Sequence, residues 1–273
     1  MKSPIKWHGG KSYLSKWIID QFPSRMRYTH YCEPFAGSLS VLFQHNPDGK
    51  SEVVNDMHSG LMDFWYCLQK MPHTLIHALT VTPLSQSVFE KSLEKPEAEM
   101  TIDRAYWFFV RYRQSRQGLG KNYCTPTIRT RRGMNENVSA WLSAVDGLQE
   151  AVGRLRRVEV RCMDAVTFIG QYDHENALFY VDPPYLHSTR VTRADYEHEF
   201  TEQQHVQLLA VLSGISGKFV LSGYPSELYD QYARDCGWRT ESIEIDNKAS
   251  GKKEKQKKTE CLWMNFRNDE VKP

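Results

Sequence analysis

The sequence predicts an α/β protein with a mostly parallel, doubly wound sheet that carries a mostly helical insertion. Three observations lead there. Short apolar runs alternate with stretches of helical periodicity, the pattern of strands returning through crossover helices. That alternation breaks off at residue 71 and resumes at 158. The end of the chain instead holds two β-rich runs around a lysine-rich loop, the signature of an antiparallel hairpin.

Taken in order, Tyr28 to Pro34 reads as the first sheet strand, followed by a turn and a helix from Ser38 to Gln44. Glu52 to Asn55 is a short second strand that ends at Asp56. Residues 60–70 place Leu61, Phe64, Trp65 and Leu68 at helical spacing. The insertion, 71–157, holds helical stretches at 74–80, 86–94, 102–113 and 138–152, with a Gly-, Arg- and Thr-rich loop at 118–136. Strands resume at Val158 to Cys162, Leu178 to Val181 and Phe219 to Ser222. A helix over 202–213, with Thr201 as N-cap, separates the last two. Arg239 to Ile245 and Glu260 to Phe266 form the closing hairpin. The expected division is therefore 1–70 with 158–273 as one domain and 71–157 as a second.

Bulk properties narrow the function classes. At 273 residues, 40% hydrophobic and 12% aromatic, the chain can bury a substantial core. No apolar run approaches the roughly 20 residues of a membrane span, and residues 1–20 lack the apolar stretch of a secretory signal. The six cysteines include no C-x-x-C pair and no histidine at ligand spacing. That argues against a metal site and for reduced thiols in a cytoplasmic setting. Cys32 and Cys162 fall in strand-like runs and read as core residues.

The net charge of +2 is uninformative, but its distribution is not. From Arg104 to Arg132 there are eight basic residues and no acid, with aromatics interleaved. Lys248 to Lys258 holds six lysines against Glu254. Clusters of this kind neutralise phosphates and can coexist with near-zero overall charge. A solvated face is the plain alternative, stronger for the lysine run than for the arginine stretch.

Asp182-Pro183-Pro184-Tyr185 carries the most chemistry. The preceding apolar run delivers Asp182 to the carboxyl end of a strand, where open α/β sheets bind ligands. The prolines stop the strand and remove two N–H groups. What remains is a rigid loop of acceptors beside an aromatic plate. It suits an aromatic exocyclic amine, whose two N–H groups are donors and whose ring needs a π surface. Acceptors at both protons draw the nitrogen lone pair out of conjugation towards an electrophile. A strand ending in a Pro-Pro turn is the bland reading.

Asp182-Pro183-Pro184-Tyr185 resembles the catalytic motif of amino methyltransferases acting on DNA. With Lys6-Trp7-His8-Gly9-Gly10-Lys11 and Glu33-Pro34-Phe35-Ala36-Gly37-Ser38, in this order, the chain is similar to the Dam-type N6-adenine DNA methyltransferases, which depend on S-adenosyl-L-methionine. The resemblance covers about Pro4 to Phe266 and is weak between Asp63 and Val158. It implies a Rossmann-like methyltransferase sheet with an inserted target-recognition domain, acting on double-stranded DNA without metal. Asp182 would accept one N6 proton and the Pro183 carbonyl the other, while Tyr185 stacks on a flipped adenine. Trp7, Lys11, Glu33, Phe35, Gly37, Asp56, Asp164 and Asp182 would line the cofactor site, Asp56 meeting the ribose hydroxyls and Asp164 the adenine amine. Lys6, Arg113, Arg116, Lys121, Arg131, Arg132, Lys252 and Lys253 would meet DNA.

Two departures stand out. Leu39 occupies the place of a second family glycine. The stretch Arg111 to Gly118 lacks the family's Asn- and Gly-containing pattern associated with the target GATC, which implies another or a relaxed target. N4-cytosine methylation and a catalytically silent DNA-binding homologue are the rival readings. Members that methylate cytosine usually carry serine where Asp182 stands, and an intact Asp182 and Tyr185 argue against silence.

Overall fold

The structure is a computed structural model that describes residues 1–94, 101–186, 200–246 and 257–271. Its elements follow the chain as α1 (Ser15–Asp20), β1 (His30–Glu33), β2 (Ser51–Asn55), α2 (Ser59–Lys70), α3 (Pro72–Thr80), α4 (Gln86–Glu94) and α5 (Thr101–Arg113). Then come β3 (Thr130–Arg131), β4 (Met134–Asn135), α6 (Glu136–Asp146), α7 (Leu148–Leu155), β5 (Val158–Arg161), α8 (Ala165–Tyr172) and β6 (Ala177–Val181). The last are α9 (Glu202–Leu212), β7 (Lys218–Gly223), α10 (Glu227–Cys236), β8 (Arg239–Asp246) and β9 (Lys257–Met264). By packing, the chain divides into a first unit of residues 1–16, 36–46 and 56–162, and a second of 17–35, 47–55 and 163–273.

The second unit is built on a mostly parallel sheet. Its strands run in the order β2-β1-β6-β7-β9-β8. β1 pairs in parallel with both β2 and β6, and β6 with β7. β9 runs antiparallel between β7 and β8, which closes that edge with the hairpin expected from sequence. All five residues of β6 are buried, which explains why Ala177 to Val181 reads as an unbroken apolar run rather than an alternating one. Phe179, Val181, Phe219, Leu221 and Trp263 share a core with Phe168 and Ile169 of α8, Leu208, Leu209 and Leu212 of α9, and Tyr229 and Ala233 of α10. Each such large side chain stabilises by about 1.5–3 kcal/mol on burial. Thr201 caps α9, as expected from sequence, and the structure adds a reciprocal capping box with Gln204.

The first unit is mostly helical. α2 lies along α5, where Phe64 stacks on Phe109 at 5.2 Å between ring centroids. Trp141 of α6 meets Phe109 at 5.6 Å. Gln69, near the end of α2, donates to the carbonyls of Leu155 and Val158, both at 2.7 Å, and ties α7 to the start of β5.

Several expectations need correction. Ser38 to Gln44 is a chain of tight turns, not a helix, because Gly37 and Leu39 both hold left-handed backbone, φ +46° and +55°. The helical stretch at 138–152 is two helices parted at Gly147. The loop at 118–136 contains the β3–β4 hairpin. Cys162 is exposed rather than core, since it lies beyond the end of β5 at Arg161. α1, α8 and α10 are helices that the sequence reading did not anticipate. Among the described residues no helix is long and apolar enough to cross a membrane.

Candidate active site

The strand order of the second unit reverses at β1 and β6. From β1 the chain continues to β2 on one side, while β6 and β7 build the other side. Ligands bind at such switch points, beyond the strands' carboxyl ends. The register places Cys32 beside Phe179, so Glu33 and Asp182 leave neighbouring parallel strands at the same edge. Glu33 is buried and accepts from the Tyr31 hydroxyl at 2.7 Å. Burial, and the Glu33 carboxylate after it, push the Tyr31 hydroxyl well above its ordinary range and keep it a donor.

Asp182 follows β6 directly and is half-buried, as is Pro184, while Pro183 is buried. The Tyr185 hydroxyl donates to the carboxylate of Glu260 on β9. Ser222 of β7 donates to that same oxygen at 2.8 Å. Tyr224 packs edge-on against the Tyr185 ring at 4.5 Å. The catalytic loop expected from sequence thus sits on β7 and β9, and neither Glu260 nor Ser222 was among the expected residues. The available signal was a lone acid opening the apolar run Glu260 to Met264.

Phe35 leans on Phe200 at 5.5 Å, edge to face, against the same core. Asn55, fully buried at the end of β2, donates to the Pro34 and Met163 carbonyls and accepts from the Met163 N–H. It clamps the chain just outside β1 and just before Asp164. Asp164 itself is exposed and caps α8, accepting from the N–H and the hydroxyl of Thr167.

In the first unit, Trp7, Gly37 and Asp56 come together. A Cβ on Gly37 would stand 3.1 Å from the Trp7 indole. The Gly37 N–H donates to one Asp56 oxygen and the His58 N–H to the other, both at 3.0 Å. Trp7 lies in an aromatic cage of Tyr112 (4.9 Å), His58 (5.5 Å) and Phe108 (5.9 Å). Lys11 is buried and donates to the Gly9 carbonyl. His58 accepts from the Leu61 N–H through Nδ1 as the cap of α2. In the neutral ring its Nε2–H then donates to the Tyr112 hydroxyl.

The basic residues sort by exposure. Arg116, Lys121, Arg131 and Arg132 are exposed. Arg132 occupies left-handed backbone at the β3–β4 turn and donates to the hydroxyl and carbonyl of Ser139. Arg113 donates to the Ala140 carbonyl, and burial lowers its pKa to about 10. Lys6 donates to the Ser115 carbonyl, and burial, then Arg113, lower its pKa. Gln114, within the stretch Arg111 to Gly118, is buried and bonded to Ser85 and Pro83. A groove of about 690 Å³ is lined by Lys6, Arg116, Thr125, Ile128, Arg129 and Asn137, among others. Lys252 and Lys253 lie outside the described residues. No group of three or more His, Cys, Asp or Glu is placed to hold a metal among the described residues.

A mostly parallel sheet with acids at the carboxyl ends of β1 and β6, the second opening Asp-Pro-Pro-Tyr, is the Rossmann-like arrangement of methyltransferases. The chain belongs to the D12 class N6 adenine-specific DNA methyltransferase family, whose pattern matches residues 7–250. It is 24% identical over 270 residues to a DNA N-6-adenine-methyltransferase of Escherichia phage P1, covering 89% of this chain and 32% of the relative. It is 35% identical over 75 residues to a type II methyltransferase of Lactococcus lactis subsp. cremoris, covering 28% of this chain and 25% of that relative. The chain therefore spans a third or less of the length of these relatives.

Proposed function

We propose that this protein methylates N6 of adenine in double-stranded DNA, after flipping the base from the stack. The observation that carries the reading is Asp182-Pro183-Pro184-Tyr185 leaving β6 at the switch point beside β1. Asp182 and the Pro183 carbonyl accept the two amine protons, and Tyr185 offers the ring face. Asp182 need not be a strong base, because the nitrogen becomes acidic once methylated. Positioning supplies most of the acceleration.

S-adenosyl-L-methionine is the methyl donor in this reading, and the residues present fit it. Gly37 holds left-handed backbone close against Trp7, and its N–H orients the Asp56 carboxylate. In the first unit Asp56 suits ribose hydroxyls and Lys11 a carboxylate, with Trp7 as an apolar wall; in the second Asp164 suits an adenine amine and Glu33 a charged amine, with Phe35 as an apolar wall. Bound there, the cofactor supplies an electrophilic sulfonium methyl. The division of labour follows the sequence: 1–70 and 158–273 catalyse on a doubly wound sheet, and 71–157 recognises the target. The groove at Lys6 and Arg116, with the exposed Lys121 and Arg131, is where that recognition segment meets the duplex. The cysteines, none in a disulfide, suit a reducing cytoplasm.

Incubation with labelled S-adenosyl-L-methionine and unmethylated DNA, followed by nucleoside analysis, should yield N6-methyladenine. Asp182→Ala should lower transfer by about 10²–10³ with the fold retained, as expected for losing one preorganised acceptor. N4-methylcytosine as the product, or full activity in Asp182→Ala, would refute the assignment. The target should differ from GATC, because the Arg111 to Gly118 stretch departs from that pattern. Single-molecule mapping of N6-methyladenine on treated DNA decides that point, and methylation confined to GATC contradicts it.

A further inference from the structure

We propose that Glu260 is a positioning residue that, through the Tyr185 hydroxyl, fixes the plane of the ring on which the target base stacks. The inference rests on the methyltransferase reading above. Glu260 is only 1% exposed, and a carboxylate is costly to bury unless donors satisfy it. Two of its donors meet at one oxygen: the Tyr185 hydroxyl and the Ser222 hydroxyl, the latter at 2.8 Å. The Tyr185 and Ser222 hydroxyls are 3.4 Å apart, which makes a closed triangle.

The triangle rests on backbone that cannot drift. Ser222 faces Leu262 and Gly223 faces Cys261 across the antiparallel β7–β9 ladder, so Glu260 enters from the end of a fixed register. Tyr185, by contrast, lies in no helix or strand. Its ring is therefore held from the hydroxyl end by β9 and from the side by Tyr224, at 4.5 Å and 71°. Burial, then Asp182 and Glu260, keep that hydroxyl protonated far above neutral pH, so it remains a donor. A stacking plate needs its plane fixed more than it needs a hydroxyl of its own. The hydroxyl is the handle by which the sheet fixes that plane.

The test is a double-mutant cycle on the full chain, comparing wild type, Glu260→Gln, Tyr185→Phe and the double variant. Each single change should lower kcat about 10- to 100-fold, the range for a hydrogen bond to a charged group. KM for S-adenosyl-L-methionine should stay within about twofold, because the cofactor residues are untouched. The double variant should be no slower than the worse single one. Multiplying losses, or wild-type kcat in either single variant, would overturn the proposal. Should Glu260→Gln fail to fold, Tyr185→Phe interrogates the same bond from its other end. Ring order supplies a readout that needs no turnover: fluorotyrosine at position 185 should give one sharp resonance in wild type and a broadened or split one in Glu260→Gln. Identical resonances refute positioning. Absence of methyl transfer in wild type refutes the functional reading instead, and the resonance comparison still decides the role of Glu260.

Discussion

Leu39 holds φ +55° with a side chain that is fully buried, and the two facts pull in opposite directions. Left-handed backbone costs a non-glycine residue about 1–2 kcal/mol. Emptying a buried leucine site costs about 2–5 kcal/mol. Burial wins, which explains how leucine stands where the resemblance leads one to expect glycine. Leu39→Gly should therefore lower stability by about 2 kcal/mol, the difference between the middles of these ranges; thermal denaturation checks it, and an unchanged or raised Tm would mean that strain dominates. Gly118 sits at φ +73°, and a Cβ there would meet the Lys6 carbonyl oxygen at 2.5 Å. Gly133 has the same φ with nothing within 4 Å. Both alanine variants pay the conformational cost of about 1–2 kcal/mol, but only Gly118→Ala must also displace Lys6. Its Tm should fall clearly further than that of Gly133→Ala, and equal losses would remove the steric part of the argument.

At the scale of elements, α8 offers the cleanest separation of two roles. Asp164 caps it, and losing such a cap costs about 1 kcal/mol. Serine caps equally well but carries no charge. Asp164→Ser should keep wild-type stability while weakening S-adenosylhomocysteine binding in calorimetric titration. Unchanged affinity would leave Asp164 as a cap and nothing more. β6 and β7 were visible in the sequence because a fully buried parallel strand is one apolar run ended by turn residues. Asp182 and Tyr185 were visible because two prolines fix the loop locally. The β3–β4 hairpin was not, since its turn uses Arg132-Gly133 rather than the usual Asn-Gly. Glu260 was not, since its meaning depends on Ser222 and Tyr185, 38 and 75 residues away. Arg113 reads as a surface cation until Ala140 and burial claim it.

Over the whole molecule, charge and connectivity carry the consequences. Neutralising Arg116, Lys121 or Arg131, all exposed, should each reduce the salt slope of DNA affinity by roughly 0.9. Arg113→Gln should instead lower Tm and leave the slope nearly unchanged; a full loss of slope there would return Arg113 to the duplex. Alanine at Lys252, Lys253, Lys255, Lys257 and Lys258 together tests the lysine run, and an unaltered slope would make it a solvated segment. The chain passes from one unit to the other at residues 16/17, 35/36, 46/47, 55/56 and 162/163. Neither unit is one continuous piece of sequence, and residues 1–16 pack with 56–162 in the first. Trp7 is seated among Phe108 and Tyr112, and Lys6 bonds to Ser115. A chimera that imports 71–157 from a relative brings a foreign seat for this chain's own first residues, and it should fold and discriminate well only when residues 1–16 travel with it. Recognition in this lineage would then diversify by paired change at two distant places in the gene, slowly and in step, rather than by exchange of a single segment.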